Sequence, residues 1–170
     1  MGLAGISAPV GSYKLRAEGA LPYGLDRDDF QLPRFTVGVD RLGGETMLSA
    51  EYNFNGIGAT EPQDYTDVLD DPRFSRGETY FLGRHNLGGS ATWTPGNDRL
   101  SLSLTGLMNL QDPSGALVPN LRYDFGQTTR VSVGALTSFG ETPTFQPQPE
   151  LESEFGAYGD FLYTILSVYF

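Results

Sequence analysis

Charged side chains recur at every second position along parts of this chain. Lys14, Arg16 and Glu18 alternate with Tyr13, Leu15 and Ala17, and Arg34, Asp40, Glu51, Arg84, Arg122, Asp124 and Arg130 stand in similar alternating company. In an extended segment such spacing puts polar groups on one face and apolar groups on the other. A charged face of this kind can line an aqueous passage, fill an interior with ion pairs, or meet bulk water. Catalysis asks for more than these residues offer. The one histidine, His85, has Ser90 near it in sequence, but there is no Gly-x-Ser-x-Gly elbow, His-Glu-x-x-His helix, phosphate loop or dinucleotide fingerprint. Neither enzyme activity nor a cofactor is expected, and His85 reads as a strand or loop residue at an aqueous rim.

A second concentration of ionisable groups lies between Asn55 and Glu78. It holds Glu61, Asp64, Asp67, Asp70, Asp71 and Glu78 against Arg73 and Arg76. Closely spaced carboxylates suit Ca²⁺ or Mg²⁺, which take several oxygen ligands, and Asp67, Asp70 and Asp71 are the weak candidates for such a role. The spacing lacks the glycine and terminal glutamate of an EF-hand loop, so no metal site is assigned and a solvated acidic loop is the default. Glu150, Glu152 and Glu154 read in the same way.

Strands must position these groups. Period-2 alternation marks Tyr13 to Leu21, Arg34 to Asp40 and Thr46 to Phe54, where Leu48, Ala50, Tyr52 and Phe54 oppose Ser49, Glu51 and Asn53. It continues in a longer segment over 80–94, with Leu87, Ala91 and Trp93 against Arg84, Asn86, Ser90 and Thr92. It is plainest where Leu100, Leu102 and Leu104 alternate with Ser101, Ser103 and Thr105. Two more segments set Leu121, Tyr123 and Phe125 against Asn120, Arg122 and Asp124, and Val131, Val133 and Ala135 against Arg130 and Ser132. With the apolar run that ends the chain, this predicts about eight strands. Pro119 lacks a ladder donor, so a bulge or local break is expected beside it.

Composition agrees, because 22 Gly, 11 Pro, 9 Tyr and 11 Phe suit short strands and turns better than helices. The chain has no cysteine, which removes disulfides and thiolate metal sites. A formal charge of −10 with no basic patch argues against nucleic acid as a partner. Met1 to Val10 carry no basic start and no long apolar core, so they do not read as a secretory leader.

The connections sort into two kinds in strict alternation. Short links fall at Leu42-Gly43-Gly44, Pro95-Gly96-Asn97 and Gly126-Gln127-Thr128, and longer ones at Pro22 to Gln31, Asn55 to Glu78, Gln111 to Gly115 and Gly140 to Gly159. Aromatic residues gather near strand ends at Tyr13, Phe35, Tyr52, Phe54, Trp93, Tyr123, Phe125, Phe139 and Phe170, where an interfacial girdle would stand.

The last ten residues, Phe161 to Phe170, carry no charge and finish on an aromatic ring. Leu162, Leu166, Val168 and Phe170 share one face of this segment. It resembles the C-terminal assembly signal of bacterial outer-membrane β-barrel proteins, porin-like ones included. The family often places a second aromatic two residues before the end, where this chain has Val168. The resemblance implies an all-β, antiparallel up-and-down transmembrane β-barrel over residues 1–170, either a small barrel of about eight strands or the C-terminal part of a larger one. It implies short periplasmic turns, long external loops and both termini on the periplasmic side. Lys14, Arg16, Glu18, Arg34, Asp40, Glu51, Arg84, Arg122, Asp124 and Arg130 would then face the lumen. Expected partners are the lipid bilayer, lipopolysaccharide and the β-barrel assembly machinery, in the outer membrane of a Gram-negative bacterium. The implied role is a passive channel for small polar solutes. A non-conducting structural or adhesion barrel and a soluble lipocalin-like ligand-binding barrel are the alternatives.

Overall fold

The computed structural model describes residues 2–21, 23–24, 29–30, 33–96, 98–145 and 149–170. Nine strands form one antiparallel sheet: β1 (Gly2–Val10), β2 (Tyr13–Leu21), β3 (Arg34–Gly43), β4 (Thr46–Asn55), β5 (His85–Trp93), β6 (Leu100–Asn109), β7 (Gly115–Phe125), β8 (Thr129–Phe139) and β9 (Phe161–Val168). Each strand pairs with its neighbours in sequence, so the sheet is an up-and-down meander. Two short ribbons, Tyr23–Gly24 with Asp29–Phe30 and Thr144–Phe145 with Pro149–Glu150, stand in the long connections.

The four short turns fall at one end of the sheet, and each contains a residue with positive φ. These are Gly11 at 62°, Gly44 at 56°, Asp98 at 52° and Gly126 at 75°. Tight hairpins twist in the sense that demands such backbone angles, which glycine adopts without a Cβ penalty. The long connections all emerge at the opposite end. The largest, over 56–84, contains a 3₁₀ turn (Pro62–Asp64) and two short helices, α1 (Tyr65–Asp70) and α2 (Pro72–Ser75). Ala59, Tyr65, Val68 and Leu82 are buried there, with Phe74 and Leu151 against them.

Four expectations need correction. The sheet has nine strands rather than eight, because β1 was not read as a strand; its Ala4, Ile6, Ala8 and Val10 alternate with Gly5, Ser7 and Pro9, with no charge to mark a polar face. An odd number of strands places Gly2 and Phe170 at opposite ends of the sheet, not on one side. The sheet is also not closed: β1 and β9 are its two edges and do not pair with each other. They run in the same direction, so a direct bond between them would be parallel. The segment expected over 80–94 is a strand only from His85, since 80–84 belongs to the preceding connection. Beside Pro119 the expected break is present, for Ala135 and Leu136 have no partner on β7 although the register on either side is unchanged.

Adjacent strands are offset in a consistent direction. A line of direct partners runs from Val10 through Tyr13, Arg41, Leu48, Ala91 and Leu104 to Pro119. It begins at the turn end of β1 and reaches the middle of β7. Such stagger accompanies strand tilt in barrel walls.

Candidate functional site: two unlike faces of one sheet

One face is apolar and uncovered. Leu15, Val37, Leu48, Leu87, Leu104, Leu121, Val133 and Leu166 run across β2 to β9, and all are exposed. Leu104 in the middle of β6 keeps 47% of its surface open and Leu166 on β9 keeps 65%. A sheet in water buries one face against a second layer, and contiguous apolar patches of this breadth mark a surface made to meet lipid or protein. Aromatic rings border it at both ends. At the long-connection end Phe35 stacks on Phe54 at 4.9 Å, His85 meets Phe54 edge-on at 5.4 Å, and the Tyr52 hydroxyl bonds to His85 Nδ1. At the short-turn end stand Tyr13, Trp93, Tyr123 and Phe125, with Tyr123 and Phe125 4.7 Å apart. Among the described residues Arg41 is the charged one on this face, between Tyr13 and Leu48 near the turn.

The opposite face is polar, and the register assembles its charges into clusters. Arg16 Nε donates to Asp40 Oδ2 at 3.1 Å, and its Nη2 reaches Glu51 Oε2 at 2.9 Å and Ser49 Oγ at 3.3 Å. Gly38 lies beneath that guanidinium; a Cβ there would stand 3.1 Å from Arg16 Cζ, so a larger residue would push the hub aside. A second cluster joins Arg130 Nε to Asp124 Oδ1 at 2.6 Å, with Arg122 3.7 Å from the same carboxylate. Arg34 approaches Glu78 at 3.7 Å, from the strand to the long connection. Lys14 stands opposite Asp40, and Glu18 opposite Thr36. Of the residues expected to share a face, Arg84 alone lies outside a strand. It precedes β5 and its Nε donates to the Gly58 carbonyl at 3.0 Å.

The long connections fold onto the end of this polar face through a buried network. Glu154 Oε1 accepts from the Leu82 amide at 2.8 Å, and Oε2 accepts from the Gly83 amide at 3.0 Å and from Asn109 Nδ2 at 2.7 Å. Asp112 accepts from the Tyr65 hydroxyl, the Ser114 hydroxyl and, at 2.7 Å, the Glu154 amide. Three separate connections are thereby tied to Asn109 at the end of β6. Burial pushes the Glu154 carboxyl above the usual glutamate range, against the opposing pull of the Leu82 and Gly83 amides and Asn109. Burial, with Asp112 as the acceptor of its proton, likewise pushes the Tyr65 hydroxyl well up.

Glu154 therefore corrects its reading as a solvated loop residue. Asn109, Asp112, Ser114 and Tyr65 were not singled out from sequence; Asp112-Pro113-Ser114-Gly115 signals a turn but not its burial. His85 and Ser90 lie on opposite faces of β5, which separates them as a catalytic pair. The Asp71 carboxylate is committed to Arg73, accepting from its backbone amide at 2.8 Å and its Nη2 at 2.6 Å, so it caps α2. The Arg73 hydrogen bonds hold it down to about 2. Among the described residues no group of three His, Cys, Asp or Glu side chains is arranged to hold a metal ion. No helix among them is long and apolar enough to cross a membrane.

No protein-family model, curated protein or solved structure matches this chain.

Proposed function

We propose that this sheet is a stretch of wall from a transmembrane antiparallel β-barrel in a bacterial outer membrane, and that its polar face lines a passage for small polar solutes. The observation that carries the reading is the uncovered apolar face, bordered by aromatic rings at both ends and backed by a face of paired charges and hydroxyls. In a bilayer the strands bond to one another, aliphatic side chains meet acyl chains, and aromatic rings take the interfaces. The strand offset supports a tilted wall. Because β1 and β9 run in the same direction, an all-antiparallel closure takes an odd number of further strands between them.

A soluble ligand-binding barrel would turn its apolar face inward. Here the connections fold onto the polar face through Asn109 and Glu154, which supports the polar side as the interior. The same folding favours a second reading, a structural barrel whose mouth is filled by its own loops. Conductance across a planar bilayer separates the two, since only the channel gives discrete current steps.

Trp93 offers the direct test of lipid contact, being the chain's one tryptophan, on the apolar face near the short turns. Its Nε1 donates to Glu45 Oε2 at 3.3 Å, a polar anchor suited to an interface. In vesicles of brominated phosphatidylcholine its fluorescence is expected to be quenched most by bromines near the headgroup. Quenching by aqueous iodide alone, with no effect of bromine at any depth, would overturn the membrane reading.

A further inference from the structure

Between the two charged clusters the polar face holds a lane of hydroxyls and amides. Strands β5 and β6 present Asn86, Ser90 and Thr92 beside Ser101, Ser103, Thr105 and Asn109, with no ionisable group among them; Gly88 and Leu107 stand between the hydroxyl pairs and the two asparagines. Direct cross-strand partners join Ser90 to Thr105 and Thr92 to Ser103. The lane continues to Ser49 on β4 and Asn120 on β7, which partner Ser90 and Ser103. Beyond Ser49 Arg16 bridges Asp40 and Glu51, and beyond Ser101 Arg130 pairs with Asp124 while Arg122 stands 3.7 Å from the same carboxylate.

The members of the lane differ in what they have left to offer. Ser49 is spent on Asp40 and Arg16, and Asn109 on Tyr65 and Glu154. Ser90, Thr92, Ser103 and Thr105 are partly or fully exposed, and their hydroxyls make no hydrogen bond to the described residues. Each hydroxyl can donate once and accept twice, and the two members of a cross-strand pair stand about 5 Å apart. A solute rich in hydroxyls can exchange its water hydrogen bonds for these with little loss. An ion meets no opposite charge among these hydroxyls, the ionisable groups standing in clusters to either side.

Resting on the channel reading above, we infer that the lane formed by Ser90, Thr92, Ser103 and Thr105 is a contact track for uncharged polyhydroxyl solutes. Carbohydrate-like and polyol molecules are the chemical class that it fits.

The test compares three solutes of one size, the neutral hexitol glucitol, the anion gluconate and the cation glucosammonium, by swelling of phosphatidylcholine vesicles containing the protein. Glucitol is expected to enter faster than either ion. Thr105→Asp places one charge in the lane and is expected to shift the ratio of glucosammonium to gluconate influx about sevenfold at low salt, from Coulomb attraction and repulsion at about 7 Å in water. Thr105→Val keeps the β-branched shape and is expected to slow glucitol while leaving the ratio of the ions unchanged. Equal influx of all three solutes, unmoved by either substitution, overturns the inference and leaves the channel intact. No influx of any solute, with Trp93 still quenched by brominated lipid, overturns the channel reading and the inference with it.

Discussion

Tyr163 on β9 occupies the space that a side chain on Gly134 of β8 would fill. A Cβ built on Gly134 would lie 2.4 Å from Tyr163 Cζ, and the two residues are direct cross-strand partners. The Tyr163 hydroxyl accepts from Asn120 Nδ2 at 3.0 Å, so one ring spans β7, β8 and β9. The missing side chain is thus part of how the final strand is seated.

Gly134→Ala is therefore expected to displace the ring and loosen the last strand, at a cost of about 1–3 kcal/mol for a forced contact. Amide exchange should quicken in Phe161–Val168 more than in the other strands. Unchanged exchange there would show that the ring merely rests on the glycine.

The two faces make opposite demands on neighbouring positions of β6. Leu104→Arg puts a charge in the middle of the apolar face and should cost about 2–4 kcal/mol in a lipid-embedded wall. Ser103→Arg, one residue earlier on the polar face, should cost far less. Urea unfolding of both variants in lipid vesicles, followed by Trp93 fluorescence, gives the comparison, and equal costs would contradict the assignment of faces.

Removing Arg16 leaves Asp40 and Glu51 facing one carboxylate to another. Arg16→Met is expected to lower the midpoint of thermal unfolding, and Asp40→Asn added to it should recover part of the loss. A double-mutant cycle measures the coupling directly. Additive effects would mean that the 3.1 Å contact carries no net interaction.

Glu154 and Asp71 bend the pH dependence in opposite senses. The folded state holds the Glu154 proton more tightly than the unfolded chain, so its contribution falls as pH rises above the ordinary value of 4.5. Asp71, held to about 2, contributes stability above 3.8 that is lost as pH falls toward 2. Glu154→Gln should flatten the alkaline side of this profile. It also replaces one acceptor oxygen by an NH2 that opposes either the Leu82 amide or the Gly83 amide and Asn109, which should cost about 1–3 kcal/mol. Proteolysis of the 140–160 connection at pH 5 and pH 8 reads both effects, and an unchanged slope in the variant would remove Glu154 as the source.

Much of this architecture was legible because strands with a charged face declare both their period and their orientation. Arg16, Asp40 and Glu51 could be placed on one face before their distances were known, since alternation fixes the side and register fixes the neighbour. β1 was missed for the complementary reason, its Gly5, Ser7 and Pro9 giving too little polar contrast. The network around Glu154 was illegible because burial in a loop depends on which connections meet in space. Glu152 and Glu154 look alike in sequence, yet Glu154 alone receives two backbone amides and Asn109. Closure could not be read from alternation either, since it depends on the number of strands and their directions.

Every ladder in the sheet joins segments adjacent along the chain. The molecule is therefore divisible: a cut in the helical connection over 56–84 separates β1 to β4 from β5 to β9, leaving every ladder intact except the one between Thr46–Asn55 and His85–Trp93. Two fragments made in this way have a single matching seam, and reassembly from separately produced halves is a property built into the order of its strands.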